Sequence, residues 1–254
     1  MTPKKIEPLV LTAAIVLPTI VTWIYFVSLK DSAPSVQQAA YGIGKTIQFA
    51  LPVVWVWLFC REKLNSLLPW ADGNFKASVE QADMLERSQA TTMAVSFGLF
   101  VAVSVFVGFY FIVTPMGLAD SLIVKVNEKV SGMSLDSPLK FALLGLFYAI
   151  VHSFMEEYYW RWFVFKRLLN HMPRWSAITI SSIGFMAHHV ILMATFLGWS
   201  SPLAYLISAT VAIGGVVWAL LYQRGGKLVY PWLSHMIVDA AIFALGYVLV
   251  FGGS

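Results

Sequence analysis

Seven apolar runs, each of about 20 residues, recur along this chain, and no other feature limits its fold so strongly. In hydrocarbon every backbone N–H and C=O must find its partner within the protein, which leaves helices and closed barrels. Runs of this length are too long for barrel strands. They place spans at roughly 8–29, 41–60, 93–115, 141–165, 175–198, 203–223 and 228–251. The expected fold is all-α: a polytopic transmembrane helical bundle of about seven spans, within a range of six to eight. Composition agrees, since 59% of residues are hydrophobic and 12% charged, about half the charge of a soluble domain.

The first run follows Lys4 and Lys5. It is too long for the apolar core of a secretory signal and counts as a span. Lys45, near the expected start of the second span, is placed to snorkel to the interface. The largest polar stretch, 61–92, separates the second and third spans. A second connector, 116–139, carries Leu118, Leu122, Ile123, Val126 and Val130 at helical spacing. That pattern predicts an amphipathic helix lying on the membrane, with Lys125, Glu128 and Lys129 on its wet face. Cys60 is the single cysteine, which excludes an internal disulfide and a cysteine-based zinc site. Trp70, Trp160, Trp199, Tyr222, Tyr230 and Trp232 fall near expected span ends, as an interfacial belt does.

Orientation follows from lysines and arginines in alternate loops. With the N-terminus inside, the inner segments hold Lys4, Lys5, Arg61, Lys63, Lys76, Arg87, Lys166, Arg167, Arg174, Arg224 and Lys227. The outer ones hold Lys30, Lys125, Lys129 and Lys140. A cytoplasmic N-terminus is expected. The chain divides into N-terminal spans with their connectors, 1–139, and a core of four spans, 140–254.

Of thirteen acidic residues, Glu156, Glu157 and Asp239 alone lie well inside a span. Four of the five histidines do so too: His152, His188, His189 and His235. His171 falls in a loop. Ionisable side chains at membrane depth are costly and mark functional sites. From the cytoplasmic helix ends, Glu156 lies about 14 Å deep, His189 about 21 Å, His235 about 10 Å and Asp239 about 16 Å. One layer in the cytoplasmic half of the membrane can hold all four.

Helical phase then sorts the neighbours. Glu157 and Arg161, four apart, suit an internal ion pair. Glu156 is turned about 100° from Glu157 and is free to face the bundle interior. His152, four before Glu156, can hydrogen-bond to it. Phe185 shares a face with His189, and His235 with Asp239. His188 is rotated off and reads as a packed core histidine.

These three pieces resemble the CPBP family, the Abi or type II CAAX-protease-like intramembrane proteases. Its EExxxR motif is matched by Glu156, Glu157 and Arg161, its FxxxH by Phe185 and His189, and its HxxxN/D by His235 and Asp239. The resemblance covers about Lys140 to Phe251. It implies hydrolysis of a peptide bond in or at the edge of the bilayer. Glu156 would activate water, His189 would orient or hold it, and His235 with Asp239 would stabilise the oxyanion or bind a metal. Asp239 stands where the family often has Asn, and an ionised carboxylate cannot donate to an oxyanion; orienting His235 or ligating a metal suits it better. Zn²⁺ is a candidate cofactor, with His189, His235, Asp239 and Glu156 as its ligands; a metal-free glutamate mechanism uses the same groups.

The expected partners are the lipid bilayer and a membrane-anchored or hydrophobic peptide or protein substrate, not nucleic acid. A bacterial plasma membrane is the expected location. Two other classes use the same residues: a proton- or ion-coupled carrier, and a catalytically silent membrane partner or immunity protein whose polar groups clamp helices.

Overall fold

The structure, a computed structural model, describes residues 3–62, 86–133, 135 and 137–252. Among these, seven helices are long and apolar enough to cross a membrane: α1 (Lys5–Ser28), α2 (Pro34–Phe59), α3 (Arg87–Val113), α5 (Pro138–Leu168), α6 (Arg174–Leu197), α7 (Pro202–Gly225) and α8 (Val229–Phe251). The connector forms α4 (Ala119–Gly132). The described residues hold no strand, so the all-α bundle is observed. Most of the polar stretch 61–92, with Lys63, Trp70 and Lys76, lies outside the described residues. Its end differs from expectation, since α3 already begins at Arg87.

Helix limits follow local chemistry. Proline occupies the first turn of α2, α5 and α7, where its missing N–H costs nothing. Ser137 caps α5 by accepting from the Lys140 N–H. Gly198 and Gly226, with φ of 101° and 70°, turn the chain out of α6 and α7.

Because α2 starts at Pro34, Lys45 is not near a span end. It lies about 17 Å into the helix, which corrects the snorkelling expectation. The belt expectation is likewise corrected for three residues: Trp160, Tyr222 and Tyr230 are buried in the core, while Trp199 is exposed. Helix α5 continues to Leu168, so Trp160 sits well inside it.

The two faces of the bundle are pinned differently. On one, Lys125 of α4 donates to the Phe196 carbonyl (2.8 Å) at the end of α6, and the Lys129 ammonium stands 4.0 Å from the Tyr25 ring centre. Helix C-termini attract cations, so these lysines dock α4 instead of forming a wet face; Glu128 is exposed. On the other, Arg167 bonds both Glu7 (3.0 Å) and Glu62 (2.7 Å), and His171 Nε2 lies 2.9 Å from Glu7. His171 is therefore a paired group of the α5–α6 loop.

Helix α5 is not uniform. Wide turns with i→i+5 hydrogen bonds run over Tyr148–His152 and Tyr158–Phe165. They flank a short α segment, Ser153–Glu157. Such π segments occur often at functional sites. Helix α6 approaches α5 at Gly184, where a Cβ would stand 2.9 Å from the Trp160 ring.

Candidate active site

Glu156, on the short α segment of α5, is buried at 3% exposure. Three imidazoles turn their Nε2 atoms towards its carboxylate. His152 lies 3.8 Å away, one turn earlier on α5; His188 of α6 lies 3.7 Å away; His235 of α8 lies 3.8 Å away. These separations exceed a direct hydrogen bond. Each nitrogen therefore keeps its capacity for a third group held against the carboxylate.

Glu157, turned to the other side, is fully buried and does different work. Its Oε2 pairs with Arg161 Nε at 3.1 Å, as the four-residue spacing predicts. Its Oε1 lies 2.8 Å from His235 Nδ1, a contact that spacing did not reveal. Glu157 thus ties α5 to α8 and fixes the imidazole through Nδ1, leaving Nε2 towards Glu156 and, at 3.5 Å, Asp239. Arg161 is further held 4.9 Å from the Phe185 ring centre and 5.2 Å from that of Trp218.

Phe185 is the packing hub. Its buried ring lies 5.8 Å from Trp160, 4.8 Å from His189 and 6.0 Å from His235, all at steep angles. His189 places Nδ1 2.9 Å from the Phe185 carbonyl, so that N–H donates and Nε2 remains an acceptor. His188, read from phase as a packed core residue, is the α6 histidine that faces Glu156. It stacks parallel to Trp160, and its ring centre is 4.2 Å from that of His189. Both imidazoles therefore belong to one neighbourhood.

Sequence reasoning missed Trp218 of α7. Its ring stacks on His235 at 4.1 Å, and its Nε1–H donates to Ser234 Oγ. Trp218 lies five residues from the expected span end at 223, as Trp160 does from 165, so its position carried no signal that set it apart.

Motifs one, two and three thus meet, as separate helices should if they form one site. Residues 138–241 match the family model described as Type II CAAX prenyl endopeptidase Rce1-like. Over these residues the chain is similar to that family. The match includes all three motifs and ends ten residues short of the expected Phe251. No curated protein and no solved structure matches the chain. The Rce1-like segment supports a CAAX-type intramembrane protease as activity class, in a multi-pass membrane protein. Helices α1 to α4 lie outside it but touch it closely: Tyr159 donates to the Ala14 carbonyl of α1, and Tyr158 to the Phe49 carbonyl of α2.

The fit to a metal is poor as the groups stand. Among the described residues no three His, Cys, Asp or Glu side chains are set to hold an ion. The ring nitrogens face the Glu156 oxygens, and His235 is already committed to Glu157 through Nδ1.

Proposed function

We propose that this protein is an intramembrane endopeptidase that hydrolyses a peptide bond of a membrane-associated protein or peptide, with Glu156 activating the water. The observation that carries the reading is the buried Glu156 carboxylate with three imidazole Nε2 atoms at 3.7–3.8 Å.

In this mechanism Glu156 takes a proton from water, and the hydroxide adds to the carbonyl carbon. The carbonyl oxygen becomes an oxyanion and accepts from the Nε2–H of a doubly protonated His235, whose Nδ1–H donates to Glu157. Glu156 returns its proton to the amide nitrogen, and the C–N bond breaks. His188 and His189 orient the water, and Asp239 holds the outer side of His235. His152 steadies Glu156 from the preceding turn. No step runs through a metal.

The bundle also supports a sidedness. Groups assigned to one side touch one another, as Glu7, Glu62, Arg167 and His171 do. Groups assigned to the other side do the same, as Trp23 and Trp199 do. With lysine and arginine concentrated on the first, that side is cytoplasmic.

The test compares wild type with Glu156→Gln in detergent, using a panel of membrane-tethered peptides and assaying bound zinc before and after chelation. Expected are cleavage by wild type and a fall of about 10²–10⁴-fold in the variant, with its unfolding midpoint retained. Wild-type rates in a folded Glu156→Gln protein would sink the assignment. Loss of activity on chelation, restored by zinc, would return the metal to the mechanism.

A further inference from the structure

Lys45 is a cation at membrane depth that lies outside the Rce1-like segment. Helices α2 and α5 run in the same direction, and the Arg167–Glu62 bond (2.7 Å) joins them where α2 and α5 end. From those ends Lys45 is about 21 Å deep and Glu156 about 18 Å. The two residues therefore occupy one level. The Lys45 ammonium stands 5.5 Å from the Tyr41 ring centre and 5.3 Å from that of Phe49. The Phe49 ring in turn meets the His152 ring edge-on at 6.4 Å.

No carboxylate among the described residues pairs with Lys45 at ion-pair distance. One turn further along α2, Gln48 is fully buried, and neither its amide oxygen nor its nitrogen has a hydrogen-bond partner. This face of α2 thus carries two polar groups whose demand the described residues leave unmet. Two aromatic rings offset part of the cost of a desolvated ammonium. An anion offsets far more, and intramembrane lysines are found with such partners.

Resting on the protease reading, we propose that Lys45 is a specificity-determining residue that binds a carboxylate of the substrate while the scissile bond lies at Glu156. The carboxylate is either the free C-terminus of the peptide or an acidic side chain. In both cases α2 adds a further wall to the site built from α5, α6, α7 and α8. An enzyme built so selects peptides by a negative charge at fixed distance from the bond it cuts.

The experiment uses the full chain in detergent as wild type, Lys45→Met, Lys45→Arg and Glu156→Gln. The probes are tethered peptides ending in a free carboxylate or an amide, each with Glu or Gln beyond the cleavage site. Expected for Lys45→Met is a KM raised about tenfold or more for the carboxylate peptides. Its kcat and its handling of the uncharged peptides stay unchanged, and Lys45→Arg keeps the preference. Which change in the peptide removes the preference, amide end or Gln, names the source of the carboxylate. A fall in kcat alike on every peptide would overturn the proposal and make Lys45 an electrostatic support for Glu156. Binding of the labelled peptides to wild type and to Glu156→Gln is read separately. If no peptide is cut, the protease reading fails, while carboxylate-dependent binding lost in Lys45→Met still upholds the Lys45 site. Equal binding of carboxylate and amide peptides overturns it.

Discussion

Glu157 Oε1 and His235 Nδ1 lie 2.8 Å apart, joining the middle of α5 to the middle of α8. Two adjacent carboxylates thereby take separate tasks. Glu157 is spent on Arg161 and His235, and Glu156 is left facing imidazole nitrogens without a direct bond.

Removing one member of the buried pair strands the other. Glu157→Gln is expected to destabilise the protein by about 3–5 kcal/mol, because Arg161 stays charged and buried. Adding Arg161→Met should recover more than half of that loss. Denaturant or thermal unfolding of the three variants in detergent checks it. A double variant no more stable than Glu157→Gln would show that the ion pair is not the source.

The two neighbouring histidines separate by substitution. His188→Phe keeps a ring against Trp160 but loses the nitrogen facing Glu156, so cleavage should fall about 10²-fold with little loss of stability. His189→Phe should slow cleavage less. The reverse order in kcat would give His189 the place nearest the reaction.

Trp218→Phe should lower stability by about 1–2 kcal/mol, from the weakened stack and the lost hydrogen bond to Ser234. Ser234→Ala removes only the bond and should cost about 1 kcal/mol. Cleavage should slow in Trp218→Phe and not in Ser234→Ala, since only the first frees the His235 ring. Parallel unfolding and rate measurements decide it.

Glu7→Gln weakens both Arg167 and His171 at the end of the bundle where α2 and α5 finish. A loss of about 1–3 kcal/mol is expected, as for other charge-assisted bonds. Hydrogen exchange should rise at residues 169–172, while kcat stays the same. Unchanged exchange there would mean that the cluster does not hold the loop.

Much of the site was legible because ionisable residues in apolar runs have few benign explanations. Glu156, Glu157, Arg161, His235 and Asp239 stood out for that reason alone, and four-residue spacing paired Glu157 with Arg161 correctly. What was not legible depends on how helices rotate against each other. Spacing within α6 could not show that His188 turns to Glu156, nor could spacing within α8 show that His235 reaches Glu157. The span limits were accurate to a few residues, yet an error of seven at the start of α2 misplaced Lys45. Trp160 was misread as interfacial for the related reason that α5 runs on past it.

The wide turns of α5 also ease a mismatch of length. Its 31 residues wound as a plain α-helix would extend about 47 Å, well beyond a hydrocarbon core of about 30 Å. Closing hydrogen bonds one residue later widens the coil and lowers its rise, over five residues before the Ser153–Glu157 segment and eight after it. The helix becomes shorter and thicker, and more side chains share each layer of the membrane. Crowding of this kind lets one rod present a base, a brace and a buried cation within a turn and a half.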